Sequence, residues 1–85
     1  MHKCTQNDLI IAKEMLSGKT TMEDIGEKYG RKSPSAISQI AKRVYSILLP
    51  GEERLKWLST KAIAIEFKEV LLVKIEERLG QNKNI

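Results

Sequence analysis

Apolar residues recur at helical spacing along most of this chain, and short polar or glycine-containing breaks divide the pattern. The segment 20–49, TTMEDIGEKYGRKSPSAISQIAKRVYSILL, carries it most clearly. Thr20 and Thr21 each have a carboxylate three residues on (Glu23, Asp24), the spacing of a capping box that opens a helix. Met22, Ile25 and Tyr29 form one stripe of that helix. Gly26 leaves room for a close crossing, and Gly30 suits the left-handed position that ends a helix. Ser33-Pro34 announces a second helix, an N-cap followed by a proline whose missing N–H costs nothing there. With about 100° of rotation per residue, Ile37, Ile40, Ala41, Val44, Ile47 and Leu48 gather on one side of helix 34–49. Ser35, Ser38, Gln39, Lys42, Arg43 and Ser46 gather on the other, and no carboxylate occurs from Ser33 to Leu49. A short helix, a basic turn and a longer helix make the outline of a helix-turn-helix.

The flanking segments read as support. Thr5 with Asp8 opens a helix over 5–17, striped by Leu9, Ala12 and Leu16 and ended by Gly18. Pro50-Gly51 closes the second motif helix, and a further helical segment follows over 52–79. There Leu55, Trp57 and Leu58 are expected to lock onto the core, and Gly80 to end the segment. Two readings stay open at Ser59-Thr60: an interruption, or one long helix running to Leu79. Ile63, Ile65 and Phe67 alternate like a strand, but the surrounding Ala, Glu, Lys and Leu favour helix. From Ile63 to Leu79 apolar side chains occupy most of the helix circumference, and such a helix must be covered on more than one side. The economical cover is a second copy, with Ile63, Phe67, Val70, Leu71 and Ile75 at the interface. A symmetric homodimer would set two recognition helices about one DNA turn apart and predict a palindromic site. The alternative is a monomer that folds this segment over its own core. The expected fold is all-α, a single compact domain of four to five helices with a central helix-turn-helix and a long apolar C-terminal helix.

Charge sharpens the picture at one place. The 85 residues carry 15 Lys and Arg against 11 Asp and Glu, a net +4 that is compatible with nucleic acid without demanding it. Arg31, Lys32, Lys42 and Arg43 cluster around the second motif helix. Small hydroxyls let a helix sit deep in the major groove, glutamine pairs with an adenine edge, and Lys or Arg reach phosphate or guanine. Ser35, Ala36, Gln39 and Arg43 are therefore placed at base edges, with Ser38 on the same face, and Arg31, Lys32, Ser33 and Lys42 at phosphates. The start of helix 34–49 adds backbone N–H groups to that anion site.

These residues also carry a resemblance. Ile25-Gly26-x-x-Tyr29-Gly30-x-Lys32-x-x-Ser35-x-Ile37 followed by Lys42-Arg43-Val44 resembles the C-terminal DNA-binding domain of the bacterial replication initiator DnaA. With Leu16-x-Gly18 and Leu55-x-Trp57-Leu58, the same stretch is similar to the Trp-repressor family. Thr21-Met22-Glu23-Asp24-Ile25-Gly26 and Ile37-x-Gln39-Ile40 resemble region four of primary sigma factors, with one residue inserted in the turn. The resemblance implies duplex DNA as partner. Ser33, Pro34, Ser35 and Ala36 stand where DnaA carries an acidic residue, a histidine and paired threonines, which implies a target other than the DnaA box.

Other chemistry finds little footing. One cysteine, Cys4, makes no internal disulfide, and with His2 it supplies too few ligands for a metal. No histidine sits where it could activate a nucleophile. Gly18-Lys19-Thr20 is similar to the end of a phosphate-binding loop but lacks its earlier glycine and preceding strand. The expectation is a cytoplasmic, membrane-independent protein with no cofactor and no enzymatic activity, a sequence-specific transcriptional regulator. The alternative is a small adaptor that binds RNA polymerase or another transcription protein through its apolar C-terminal segment.

Overall fold

The computed structural model describes residues 5–30 and 32–83, the last three by their backbone alone; Arg31, His2 and Cys4 lie outside the described residues. Five α-helices and one 3-10 turn account for the described regular structure, with no strand among the described residues: α1 (Gln6–Ser17), α2 (Met22–Lys28), α3 (Pro34–Leu48), the turn Glu53–Lys56, α4 (Thr60–Glu66) and α5 (Lys68–Lys83). No helix among them is long and apolar enough to cross a membrane.

The helix starts follow from local chemistry. Thr5 and Asp8 close a reciprocal capping box at α1, each bonding the other's backbone N–H. Thr21 Oγ1 accepts from Asp24 N at α2, and Ser33 Oγ from Ala36 N at α3, with Pro34 in the first turn. Each cap satisfies a backbone donor that the helix itself leaves without a partner.

Two hydrophobic clusters hold the helices. The larger joins α1, α3, the 3-10 turn, α4 and α5 through Leu9, Ala12, Leu16, Ala41, Val44, Tyr45, Leu48, Leu55, Ile63, Leu71 and Ile75. The smaller consists of Ile11, Ile25 and Ile37 from α1, α2 and α3, with Met15, Tyr29 and Ile40 packed on it. Tyr45, absent from the predicted stripe of α3, is fully buried, and its hydroxyl donates across 3.5 Å to the Ala12 carbonyl.

The C-terminal segment departs from one long apolar helix. Ser59 Oγ accepts from Ala62 N and starts α4, so the interruption at Ser59-Thr60 is real. A second break falls at Phe67, where the Arg54 guanidinium lies 5.1 Å over the ring and also pairs with Glu66. Backbone bonds continue across this break (Phe67 N to Ile63 O, Leu71 N to Phe67 O), so it is a kink rather than a loop. Gly80 does not end α5, which runs through it to Lys83.

The kink wraps the segment over α1 and α3, and this overturns most of the expected partner interface. Ile63, Leu71 and Ile75 are fully buried in the chain's own core, and Phe67 is half-buried against it. Only Val70 of those five is exposed. α1 and α3 together supply the cover that a second copy was expected to give.

Trp57 also departs from its expected place. Leu55 is buried and Leu58 half-buried, but Trp57 is 84% exposed. The 3-10 turn ends at Lys56, and Trp57 is its C-cap rather than part of a longer helix packed on the core.

Candidate nucleic-acid interface

α2 and α3 meet through a turn, 29–33, whose geometry rests on two glycines. Gly30 takes φ +98°, a conformation that side-chain-bearing residues rarely adopt. Gly26 is where the turn touches α2. Its carbonyl accepts from Lys32 N at 2.8 Å, and a Cβ added there would collide with the Lys32 carbonyl oxygen. The close approach that Gly26 permits is therefore to the backbone of the turn, rather than to a second helix crossing it. Lys28, at the end of α2, bonds Glu14 of α1 at 2.9 Å, which raises its pKa and further ties α2 down.

α3 is divided lengthwise. Ile37, Ala41, Val44, Tyr45 and Leu48 are buried. Ser35, Gln39, Arg43 and Ser46 are exposed along the opposite side, at spacings that put them on one stripe. Ala36 and Lys42 are half-buried at its edges. Lys32, exposed in the turn, sits just before the stripe. Neither Lys32, Lys42 nor Arg43 forms an ion pair among the described residues, whose ion pairs join Lys13 to Glu76, Lys28 to Glu14, and Arg54 to Glu52 and Glu66.

Two predicted site residues have other duties. Ser38 stands three residues before Ala41 and seven before Tyr45, which places it at the margin of the buried face. Its hydroxyl is 2.7 Å from Thr60 Oγ1, and Thr60 in turn donates to the Ser38 carbonyl at 3.4 Å. Ser38 is thus a tie between α3 and α4, not a side chain open to a base. The Ser33 oxygen is engaged in capping α3, which leaves its O–H to donate outward. Ser46 extends the exposed stripe, although its hydroxyl donates back to the Lys42 carbonyl at 3.0 Å.

Beside the stripe runs a shallow groove of about 400 Å³, lined by Lys42, Ser46 and Leu49 of the α3 side and by Gly51, Glu52, Glu53, Leu55 and Lys56 of the following turn. Sequence reasoning missed this neighbour. The signal for it was the three-residue spacing of Leu55 and Leu58, which separates an outward Trp57 from an inward pair.

No family model matches the chain, and neither a curated protein nor a solved structure matches it. Among the described residues no cluster of His, Cys, Asp and Glu could hold a metal ion. The chemistry on offer at α3 is hydrogen bonding and positive charge on a helix edge.

Proposed function

We propose that this protein binds duplex DNA sequence-specifically and regulates transcription, with α3 in the major groove. The observation that carries this reading is the exposed stripe Ser35–Gln39–Arg43, with no acidic residue on the helix and Lys32 at its entrance. Gln39 and Arg43 suit base edges, and Lys32 and Lys42 suit phosphates. Arg31 belongs to the same basic turn by sequence. Such a stripe calls for a binding protein rather than an enzyme, and its kinship with helix-turn-helix families is part of the proposal.

Sequencing of random duplexes retained by the purified protein near physiological salt tests this directly. An enriched site supports the reading; no enrichment overturns it in favour of an adaptor that docks on another transcription protein. On an enriched site, Gln39→Ala should relax preference at one base pair, worth about 1–3 kcal/mol of discrimination. Lys32→Ala should weaken all sequences alike and lower the salt slope by about one. Equal losses on selected and random duplexes for both variants would refute these assignments.

A homodimer on paired half-sites is the second part of the proposal. Its support is now the exposed apolar side chains that remain on α4 and α5, Ile65 (72%), Val70 (41%) and Val73 (58%). So few side chains suit association reinforced by DNA better than the large apolar face of a permanent dimer. Val73→Glu should leave the unfolding free energy within about 0.5 kcal/mol of wild type, as exposed positions do. It should also abolish cooperative occupancy of paired half-sites in a mobility-shift titration. Cooperativity unchanged by the substitution would remove this face from the interface.

A further inference from the structure

We infer that the turn after α3 is a second DNA contact, in which Trp57 and Lys56 meet the sugar-phosphate backbone at the rim of the groove that α3 enters. The inference rests on the reading of α3 given above.

Position comes first. Glu53, Leu55 and Lys56 share a groove with Lys42 and Ser46 in the C-terminal half of α3. Seven residues after Glu53, Thr60 is hydrogen-bonded to Ser38 near the N-terminal end of that helix. The chain therefore runs back along the flank of α3 between these anchors, and Trp57 lies on that run. A major groove is about 12 Å wide, so what flanks a helix seated in it meets the backbone strands rather than the bases.

Chemistry comes second. Trp57 is the single tryptophan of the chain and, at 84% exposure, the most exposed large apolar side chain among the described residues. Leaving an indole in water has a cost that a contact surface explains. Its Nε1–H is a donor with no acceptor function, which suits phosphate oxygens, and its ring can lie on deoxyribose. Lys56 beside it is exposed and makes no ion pair among the described residues. Carboxylates also line the groove, but Arg54 Nε holds Glu52 at 3.1 Å, leaving Glu53 as the repelling charge. That charge restricts the contact to the Lys56–Trp57 end. The other strongly exposed apolar residues, Ile65 and Val73, lie on α4 and α5, so Trp57 is not part of their face.

A single tryptophan makes the test direct. The full chain is titrated with a mixed-sequence duplex of about 25 base pairs at low salt, where phosphate contacts dominate binding. Binding is followed by anisotropy of an end-labelled duplex, and Trp57 by its emission and acrylamide quenching with the unlabelled duplex. The expected result is that DNA shifts or quenches the emission and at least halves the acrylamide quenching constant. Trp57→Ala should lose on the order of tenfold in affinity, the scale of a hydrogen bond to a charged group. Its thermal midpoint should stay close to wild type because the side chain is largely exposed. Trp57→Phe should recover part of the loss, since the ring remains. Binding by anisotropy with unchanged Trp57 emission, or with Trp57→Ala within twofold of wild type, overturns the rim contact and leaves α3 as the reader. No anisotropy change on any duplex overturns both.

Discussion

Gly26→Ala should destabilise the protein by about 3 kcal/mol or more, at the upper end of what overpacking costs, and on the proposed reading should abolish DNA binding before it abolishes the fold. In an ordinary helix interior the same change stabilises, because Ala exceeds Gly in helix propensity by about 1 kcal/mol. The sign therefore reports the environment. The added methyl would collide with the Lys32 carbonyl oxygen and lie 3.1 Å from its carbonyl carbon, with Ile37 Cγ1 at 3.7 Å. The obstacle is backbone, which cannot swing aside as a side-chain end can. Relief requires the turn to lift from α2, which stretches the Lys32 N to Gly26 O bond and tilts the start of α3. Gly80→Ala is the matched control. Its Cβ meets nothing within 4 Å, and α5 continues through it. It should be neutral or stabilising by up to about 1 kcal/mol. Denaturant melts of the two variants against wild type decide the matter, and a stabilised Gly26→Ala would refute the contact.

Tyr45→Ala should cost about 3–5 kcal/mol, the range for emptying a buried aromatic site. For a domain of this size that is roughly a 12–40 °C fall in melting temperature. Tyr45 is the largest fully buried side chain among the described residues and joins α3 to α1. Tyr45→Phe separates ring from hydroxyl. The bond to the Ala12 carbonyl is long at 3.5 Å, so its loss should cost about 1 kcal/mol or less. The hydroxyl has a second signature. Burial pushes the Tyr45 phenol well above its ordinary range, since the interior disfavours the phenolate. Above the unfolded tyrosine pKa of about 10 the unfolded chain therefore holds fewer protons than the folded one, and stability falls as pH rises. Tyr45→Phe should flatten that decline between about pH 9 and 11. An alkaline slope identical to wild type would mean the hydroxyl is not buried in solution.

Much of the fold was legible because its signals are local. The caps at Thr5, Thr21 and Ser33, the left-handed Gly30 and the stop at Pro50-Gly51 each depend on a few neighbouring residues. What failed depends on tertiary geometry. The kink at Phe67 has no proline or glycine to announce it and is braced by Arg54 from another element. Without it, Ile63, Leu71 and Ile75 read as surplus apolar surface; with it, they complete the core. Tyr45 was hidden by its hydroxyl. Ser38 was read as outward because one helix wheel cannot show that α4 arrives at its margin carrying Thr60. Within the candidate site, Ser35, Gln39 and Arg43 stand exposed as the wheel indicates, while Trp57 was mistaken for core because its apolar ring was grouped with Leu55 and Leu58, and the segment ends its short turn at Lys56.

The division of the interior into two clusters has a kinetic consequence. α2 is seven residues long and buries Ile25 and Gly26, and of these Ile25 joins a cluster of three isoleucines that meets the main core through Met15. Local opening follows the distribution of buried contacts, and the unit with fewest opens at the lowest free energy. By that rule α2 and its turn should exchange their amide hydrogens sooner than the part of α3 packed around Tyr45. The brace that fixes the start of α3 then rests on few contacts: Ile25 in the small cluster, the Lys32 N to Gly26 O bond and the Lys28–Glu14 pair.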